Sequence, residues 1–262
     1  MAALLLVTMV FTGCGGGGTQ SGGGDASKGK IVIGLDDQYP PMGFKDEKNE
    51  IVGFDVDLAK EAAKRLGMEI EFKAIDWGSK EAELKSGRVN ILWNGLDITD
   101  ERKKNMLFSD PYMKNRQMIF VREGNDMGIT SEANLAGKTV GTQSASTAEE
   151  YFTGNEELKN SLKELKTYGD YISTFMDLEN GRLDAVVCDE VVGLYYMSKH
   201  ADKIDILDVV VGPVSEFGIA FSKDDTALRD KVQKVFDEMI ADGTAKKISE
   251  QWFNTNLIIE KK

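Results

Sequence analysis

Arg102 offers the clearest chemistry in this chain. It stands just beyond the run Asn94-Gly95-Leu96-Asp97-Ile98-Thr99, which follows a short apolar stretch and opens a polar, helix-like segment. A glycine-bearing turn into a helix start presents free backbone N–H groups, which favour anions. A guanidinium can grip a carboxylate through two parallel hydrogen bonds. Asp189 ends a second apolar run, Ala185 to Cys188, and can take an ammonium group. Ser144-Ala145-Ser146-Thr147 also closes a strand and opens a helix, where N-capping is the plainest role. Tyr39 and Trp77 follow strands, and aromatics so placed more often pack than face a ligand.

Tests for catalysis find little. There is no Gly-x-Gly-x-x-Gly after a strand and no phosphate loop. His200 is the single histidine and lies at a polar helix end, so no Ser-His-Asp set and no Cys/His metal cluster can form. Neither a cofactor nor a metal is expected. Asp36-Asp37 and Asp189-Glu190 are paired carboxylates, but among 44 acidic residues such pairs argue weakly for acid–base work. Cys188 reads as a small buried residue.

Two repeated patterns must position these groups. Ser86-Gly87-Arg88-Val89-Asn90-Ile91-Leu92-Trp93-Asn94 is echoed by Asn180-Gly181-Arg182-Leu183-Asp184-Ala185-Val186-Val187-Cys188-Asp189. Gly29-Lys30-Ile31-Val32-Ile33-Gly34 is echoed by Gly137-Lys138-Thr139-Val140-Gly141-Thr142. Each is a short strand whose end becomes polar, and the duplication predicts two similar lobes with a cleft between them. The first lobe reads as strands at 31–34, 69–74, 89–93 and 117–121 with helices at 56–66, 80–85 and 99–105, Asp55 capping the first. The second reads as strands at 139–141, 165–168 and 185–188 with helices at 147–153, 171–179 and 191–198. Such alternation is α/β with mostly parallel strands, whose ligands sit beyond the carboxyl ends of the strands. A last strand at 218–222 and an amphipathic helix from Asp225 to Gly243 need a core to cover. The chain is therefore expected to cross back through a two-strand hinge near Asn115–Ile119 and Pro213–Gly218. The expected division is 1–29 as leader and tether, 30–116 plus 217–262 as one lobe, and 117–216 as the other.

Composition narrows the class. The 262 residues carry a net charge of −12, which argues against nucleic acid as a partner. Ala2 to Phe11 is apolar but too short to span a bilayer, and it ends in Thr12-Gly13-Cys14. A cysteine after a small residue resembles a bacterial lipobox, in which Cys14 would be lipidated. The glycine-rich segment 15–24 would then be a flexible tether.

Five ordered motifs carry a further resemblance. They are Leu35-Asp36-Asp37-Gln38-Tyr39-Pro40-Pro41-Met42, Gly53-Phe54-Asp55-Val56-Asp57-Leu58-Ala59, Ile98-Thr99-Asp100-Glu101-Arg102-Lys103, Phe108-Ser109-Asp110-Pro111-Tyr112 and Asn180-Gly181-Arg182-Leu183-Asp184-Ala185. Together they resemble the polar amino acid-binding proteins, the family 3 extracellular solute-binding proteins of ABC importers, over about 30–253. The resemblance implies a two-lobed type II periplasmic-binding-protein fold: two parallel-type sheets with flanking helices, joined by the hinge. It also implies a monomer, lipid-anchored to the outer face of the bacterial cell membrane, that closes on one free amino acid and serves a permease with its ATPase. Arg102 matches the carboxylate-binding arginine and Asp189 the ammonium-binding aspartate. Ser146 and Thr147 match second-lobe contacts, Tyr39 and Trp77 aromatic walls, and Asp36 the side-chain pocket acid. Asn94 and Gly95 match positions whose backbone meets the ligand. Asp97 departs from the family's Ser or Thr. It is expected to turn onto Arg102 or a solvent cation and offer only its N–H, unless the ligand brings a positive group there. Asp36, Asp37 and Asp97 favour a basic ligand, arginine or lysine, then glutamine or histidine. The same fold also resembles cyclic-carboxylate dehydratases and sensory ligand-binding domains, which stay open as alternatives.

Overall fold

The structure, a computed structural model, describes residues 29–260. Cys14 and the leader lie outside them. Two five-stranded sheets form the frame. The first holds β1 (Lys30–Leu35), β5 (Glu69–Ala74), β6 (Ile91–Leu92), β7 (Met106–Phe108) and β13 (Ala220–Ser222) in the order β5-β1-β6-β13-β7. The second holds β8 (Met113–Arg122), β9 (Thr139–Gln143), β10 (Glu164–Tyr168), β11 (Ala185–Asp189) and β12 (Ile204–Phe217) in the order β10-β9-β11-β8-β12. In each sheet the strand in fourth place runs against its neighbours while the first three are parallel. The two sheets therefore share one topology, as the repeated patterns require. A small antiparallel sheet of β2 (Gln38–Tyr39), β3 (Gly43–Lys45) and β4 (Ile51–Val52) sits beside the first; no alternation in so few residues announces it.

The crossing is longer than the sequence suggests. β8 and β12 pair antiparallel from Met113↔Phe217 to Ile204↔Arg122, with irregularities between Leu207 and Val210 and between Val211 and Ser215. The second irregularity holds Gly212 at φ +70, where a Cβ would meet the Tyr151 ring, and Pro213, which cannot donate to a ladder. β13 then enters the first sheet, and α8 (Thr226–Ala241) and α9 (Thr244–Phe253) pack on α1 (Phe54–Leu66). Leu228, Val232, Val235, Phe236 and Met239 supply α8's buried stripe. Trp252 donates from Nε1 to Asp57 at 2.9 Å, tying α9 to α1.

One local expectation is corrected. Asp55 does not cap α1. Gly53 holds the N-cap with φ 145, and a Cβ there would lie 2.2 Å from the Met42 carbonyl oxygen. Asp55 sits in the first turn, fully buried, and accepts from Gly95 N at 2.6 Å and from Tyr112 Oη at 2.9 Å. Burial pushes its carboxyl up to about 7. Its work is to hold the loop after β6, and so the approach to Arg102.

Helix α7 (Glu190–Lys199) lies directly on β8, because Gly193 lets the Phe120 ring reach the helix backbone; a Cβ there would come within 2.0 Å of that ring. Gly193→Ala is expected to cost roughly 1–3 kcal/mol through forced repacking. Urea unfolding would register it as a lower midpoint with unchanged slope.

Candidate functional site

The polar residues gather where the parallel strands of both sheets end. Asp36 follows β1 and Asn94 follows β6; Gln143 ends β9 and Asp189 ends β11. The two repeats thus face each other with their carboxyl ends, and the residues between them are almost wholly buried.

Asp189 is the hub. Its carboxylate accepts from Tyr39 Oη, from Asn115 Nδ2 and, at 2.7 Å, from Gln117 Nε2. Tyr39 comes from the first repeat and leans on Tyr171 of the second, with ring centroids 6.0 Å apart. Burial pushes the Asp189 carboxyl up, and the charge of Asp97 adds to this. Asn115 links the two acids, because its Nδ2 also donates to Asp97 at 3.0 and 3.3 Å. Gln117 Oε1 has no hydrogen-bond partner among the described residues, which leaves a buried acceptor beside Asp189.

Asp97 does not pair with Arg102 through its side chain, as the sequence suggested it would. Its carboxylate turns the other way and accepts from Thr147 Oγ1 at 2.5 Å, Ser215 Oγ at 2.6 Å and Asn115. Only its carbonyl oxygen meets Arg102, at 3.0 Å from Nη1. The reason is local: the Asp97↔Phe217 bridge lays this residue against β12, so its side chain meets the hinge strands rather than α3 (Asp100–Asn105). Thr99 caps α3 by accepting from Arg102 N at 3.2 Å, and so sets where the arginine begins. The Arg102 guanidinium, 2% exposed, is ion-paired with Glu150 of α4 (Thr147–Gly154): Nε lies 3.1 Å and Nη2 2.8 Å from the same Oε1.

The remaining expected residues fall in two groups. Asp36 belongs to the cleft: it accepts from Gln143 Nε2 at 2.6 Å and from Gln38 N at 2.9 Å, and burial pushes it up to about 6. Thr147 belongs there too. Ser146 is an N-cap, accepting from Glu149 N at 3.1 Å, with a 3.3 Å contact to Thr142. The Asn94 side chain is a clip between strands, its Oδ1 accepting from Asp36 N at 3.0 Å. Gly95 takes φ +56, and a Cβ would lie 2.8 Å from the Tyr39 ring. Trp77 packs with Val32, Leu84, Leu92 and Leu96, beneath Lys80, whose Nζ is 5.1 Å from its ring centroid.

Sequence reasoning missed Gln143, Asn115, Gln117, Ser215, Glu150 and Lys80. Two signals were available. Gln143 occupies the strand end that corresponds to Asp36, and Asn115 and Gln117 are polar residues two apart on a strand face otherwise made of Met113, Ile119 and Val121. Glu150 and Lys80 look like ordinary helix-surface charges. Lys80 is nonetheless 3% exposed, donates to the Ala145 carbonyl at 2.8 Å, and is pushed down to about 8 by burial and the Arg102 charge. Ala145 itself is held at φ 55.

A cleft of this kind, between two sheets of one topology joined by paired crossing strands, defines a two-lobed solute-binding fold. The sequence profile of the bacterial extracellular solute-binding proteins, family 3, matches residues 31–255, and the chain belongs to that family. It is 32% identical over 230 residues to the L-cystine-binding protein TcyJ of Escherichia coli K12, covering 88% of this chain and 85% of that one. It is 34% identical over 252 residues to the arginine-binding extracellular protein ArtP of Bacillus subtilis 168, covering 94% of each. The crystal structure of an ABC uptake transporter substrate binding protein from Streptococcus pneumoniae with bound histidine is similar at a TM-score of 0.84 and 33% identity. That match covers 89% of this chain and 96% of the other. These similarities show a type II fold.

Asp36, Asp55 and Asp189 carry raised values, so the folded protein holds protons that the unfolded chain has released from about pH 4 upward. Their contribution to stability is full below about pH 4 and is lost as pH rises through about 6 to 7. Without ligand, urea unfolding should therefore show stability increasing from pH 8 down to about pH 5, and Asp36→Asn should flatten that slope. A stability that falls steadily over this range would contradict the burial assignment.

Proposed function

We propose that the cleft closes on one free polar amino acid, arginine or lysine first and glutamine or histidine next, and hands it to an ABC permease with its ATPase. The observation that carries this reading is the charge of the interface: Asp36, Asp97, Asp189 and Glu150 stand against Arg102 and Lys80, all but Glu150 nearly fully buried. A ligand with an extra positive group offsets that imbalance; one with an extra carboxylate worsens it. Arg102 holds the ligand carboxylate and Asp189 the ammonium, so the zwitterion bridges 30–116 plus 217–262 on one side and 117–216 on the other. Tyr39, Trp77, Thr147, Ser146 and the Asn94-Gly95 backbone shape the walls. There is no covalent step. Open and closed forms exchange, and the ligand favours closed because only closed supplies contacts from both lobes.

The named ligands of the relatives support an amino acid: cystine for TcyJ, arginine for ArtP, histidine for the pneumococcal protein. Their diversity leaves the side chain to this chain's own acids. Each charge-assisted bond shielded from water contributes about 1.5–3 kcal/mol, and a few of them, less ordering costs, give a micromolar constant near about −8 kcal/mol. In this reading the protein is a monomer anchored by a lipid on Cys14 at the outer face of the cell membrane.

A thermal-shift panel of the twenty amino acids should give its largest shift with arginine or lysine. The largest shift with glutamate would contradict the charge argument. By calorimetry Arg102→Ala should weaken every amino acid by at least about 100-fold, and unchanged binding would refute the carboxylate assignment.

A further inference from the structure

We infer that Glu150 is a specificity-determining residue: it competes with the ligand's carboxylate for Arg102 and so sets how strongly the cleft prefers an amino acid over the corresponding amine. The inference rests on the reading that Arg102 receives that carboxylate.

A carboxylate can grip a guanidinium bidentately along the Nε/Nη2 edge or along the Nη1/Nη2 end. Glu150 takes the first, with both nitrogens on one oxygen at 3.1 and 2.8 Å. Backbone carbonyls flank the second, Asp97 on Nη1 at 3.0 Å and Ala145 on Nη2 at 3.4 Å. Those carbonyls are fixed by structure. Asp97 is tied to Phe217 by a bridge, and the Ala145 carbonyl also accepts Lys80 Nζ at 2.8 Å while its N–H donates to Glu149 Oε2 at 2.5 Å. Glu150 is the yielding partner. Its side chain is 38% exposed and sits on the surface of α4, so it can swing into water without breaking the fold. An incoming carboxylate therefore displaces Glu150 or binds beside it against like-charge repulsion, and either course weakens binding of ligands that carry one. An amine without a carboxylate leaves the Arg102–Glu150 pair intact. Glu150 also comes from the opposite repeat, so the pair forms only when the lobes are together.

The test is the Glu150→Gln variant, nearly equal in shape, titrated by calorimetry with L-arginine and with its decarboxylated amine, agmatine, beside the wild type and Arg102→Ala. Glu150→Gln should tighten L-arginine by about tenfold and shift the arginine-to-agmatine affinity ratio by at least that factor, because agmatine gains nothing. Weaker arginine binding by the variant would show that Glu150 positions Arg102 instead of competing with its ligand, and an unchanged ratio would also overturn the inference. In both cases loss of arginine binding by Arg102→Ala would leave the carboxylate assignment standing. If Arg102→Ala binds arginine like the wild type, that assignment itself fails and the inference with it. A circular-dichroism melt of Glu150→Gln that overlays the wild type excludes misfolding as the cause.

Discussion

The structure depends on one electrostatic constraint: carboxylates buried between two lobes without cations of their own. Asp189 and Asp97 share the amide of Asn115, and among the described residues the Asp36 carboxylate accepts from two amides, the Gln143 side chain and the Gln38 backbone. Burying an ionised carboxylate costs several kcal/mol unless it is paired. Hydrogen bonds from Tyr39, Gln117, Thr147 and Ser215 offset part of that cost. In the proposed function a cationic ligand offsets the rest. Burial raises both Asp36 and Asp189 to about 6, which expresses that cost. Arg102 does not fill the role, because Glu150 already balances it.

The topology makes such a site possible. Two sheets of equal strand order present their carboxyl ends to each other, and β8 and β12 carry the chain between them. Asn115, Gln117 and Ser215 lie on those crossing strands, so the residues that hold the acids are also part of the hinge. Asp189 pairs in register with Gln117, and Asp97 bridges to Phe217. The strands that join the two sheets therefore also supply the hydrogen bonds that satisfy the acids.

Much of this was legible from the residues alone. The duplicated strand-end patterns foretold two lobes, and they placed Asp189 and Asp36 at strand ends and Arg102 just beyond one, in the helix that follows. The helices that were foreseen agree to within a residue or two: α2 (Lys80–Lys85) and α6 (Tyr171–Glu179) match the expected bounds, and Gly67 ends α1 in the left-handed region, while α5 (Glu156–Ser161), capped by Asn155, was not foreseen. The short pairs β2, β3 and β4 were not visible, since two or three residues carry no period, and β12 was hidden by its irregularities and Pro213. Side-chain direction was the harder matter. Asp55 had the type and place of a cap yet serves Gly95, and Asp97 had Arg102 within reach yet turns to Thr147 and Ser215. Both outcomes follow from long-range contacts that no local spacing encodes. Glu150 was unreadable for the same reason, being a helix-surface acid until the opposite lobe arrives.

In the proposed function a cationic ligand replaces protons on the buried carboxylates of the cleft. Calorimetry of L-arginine binding at pH 6, in buffers of differing ionisation enthalpy, measures that exchange directly. Net proton release on binding, shrinking toward zero at pH 8, is the expected result. Proton uptake, or no exchange across this range, would contradict it.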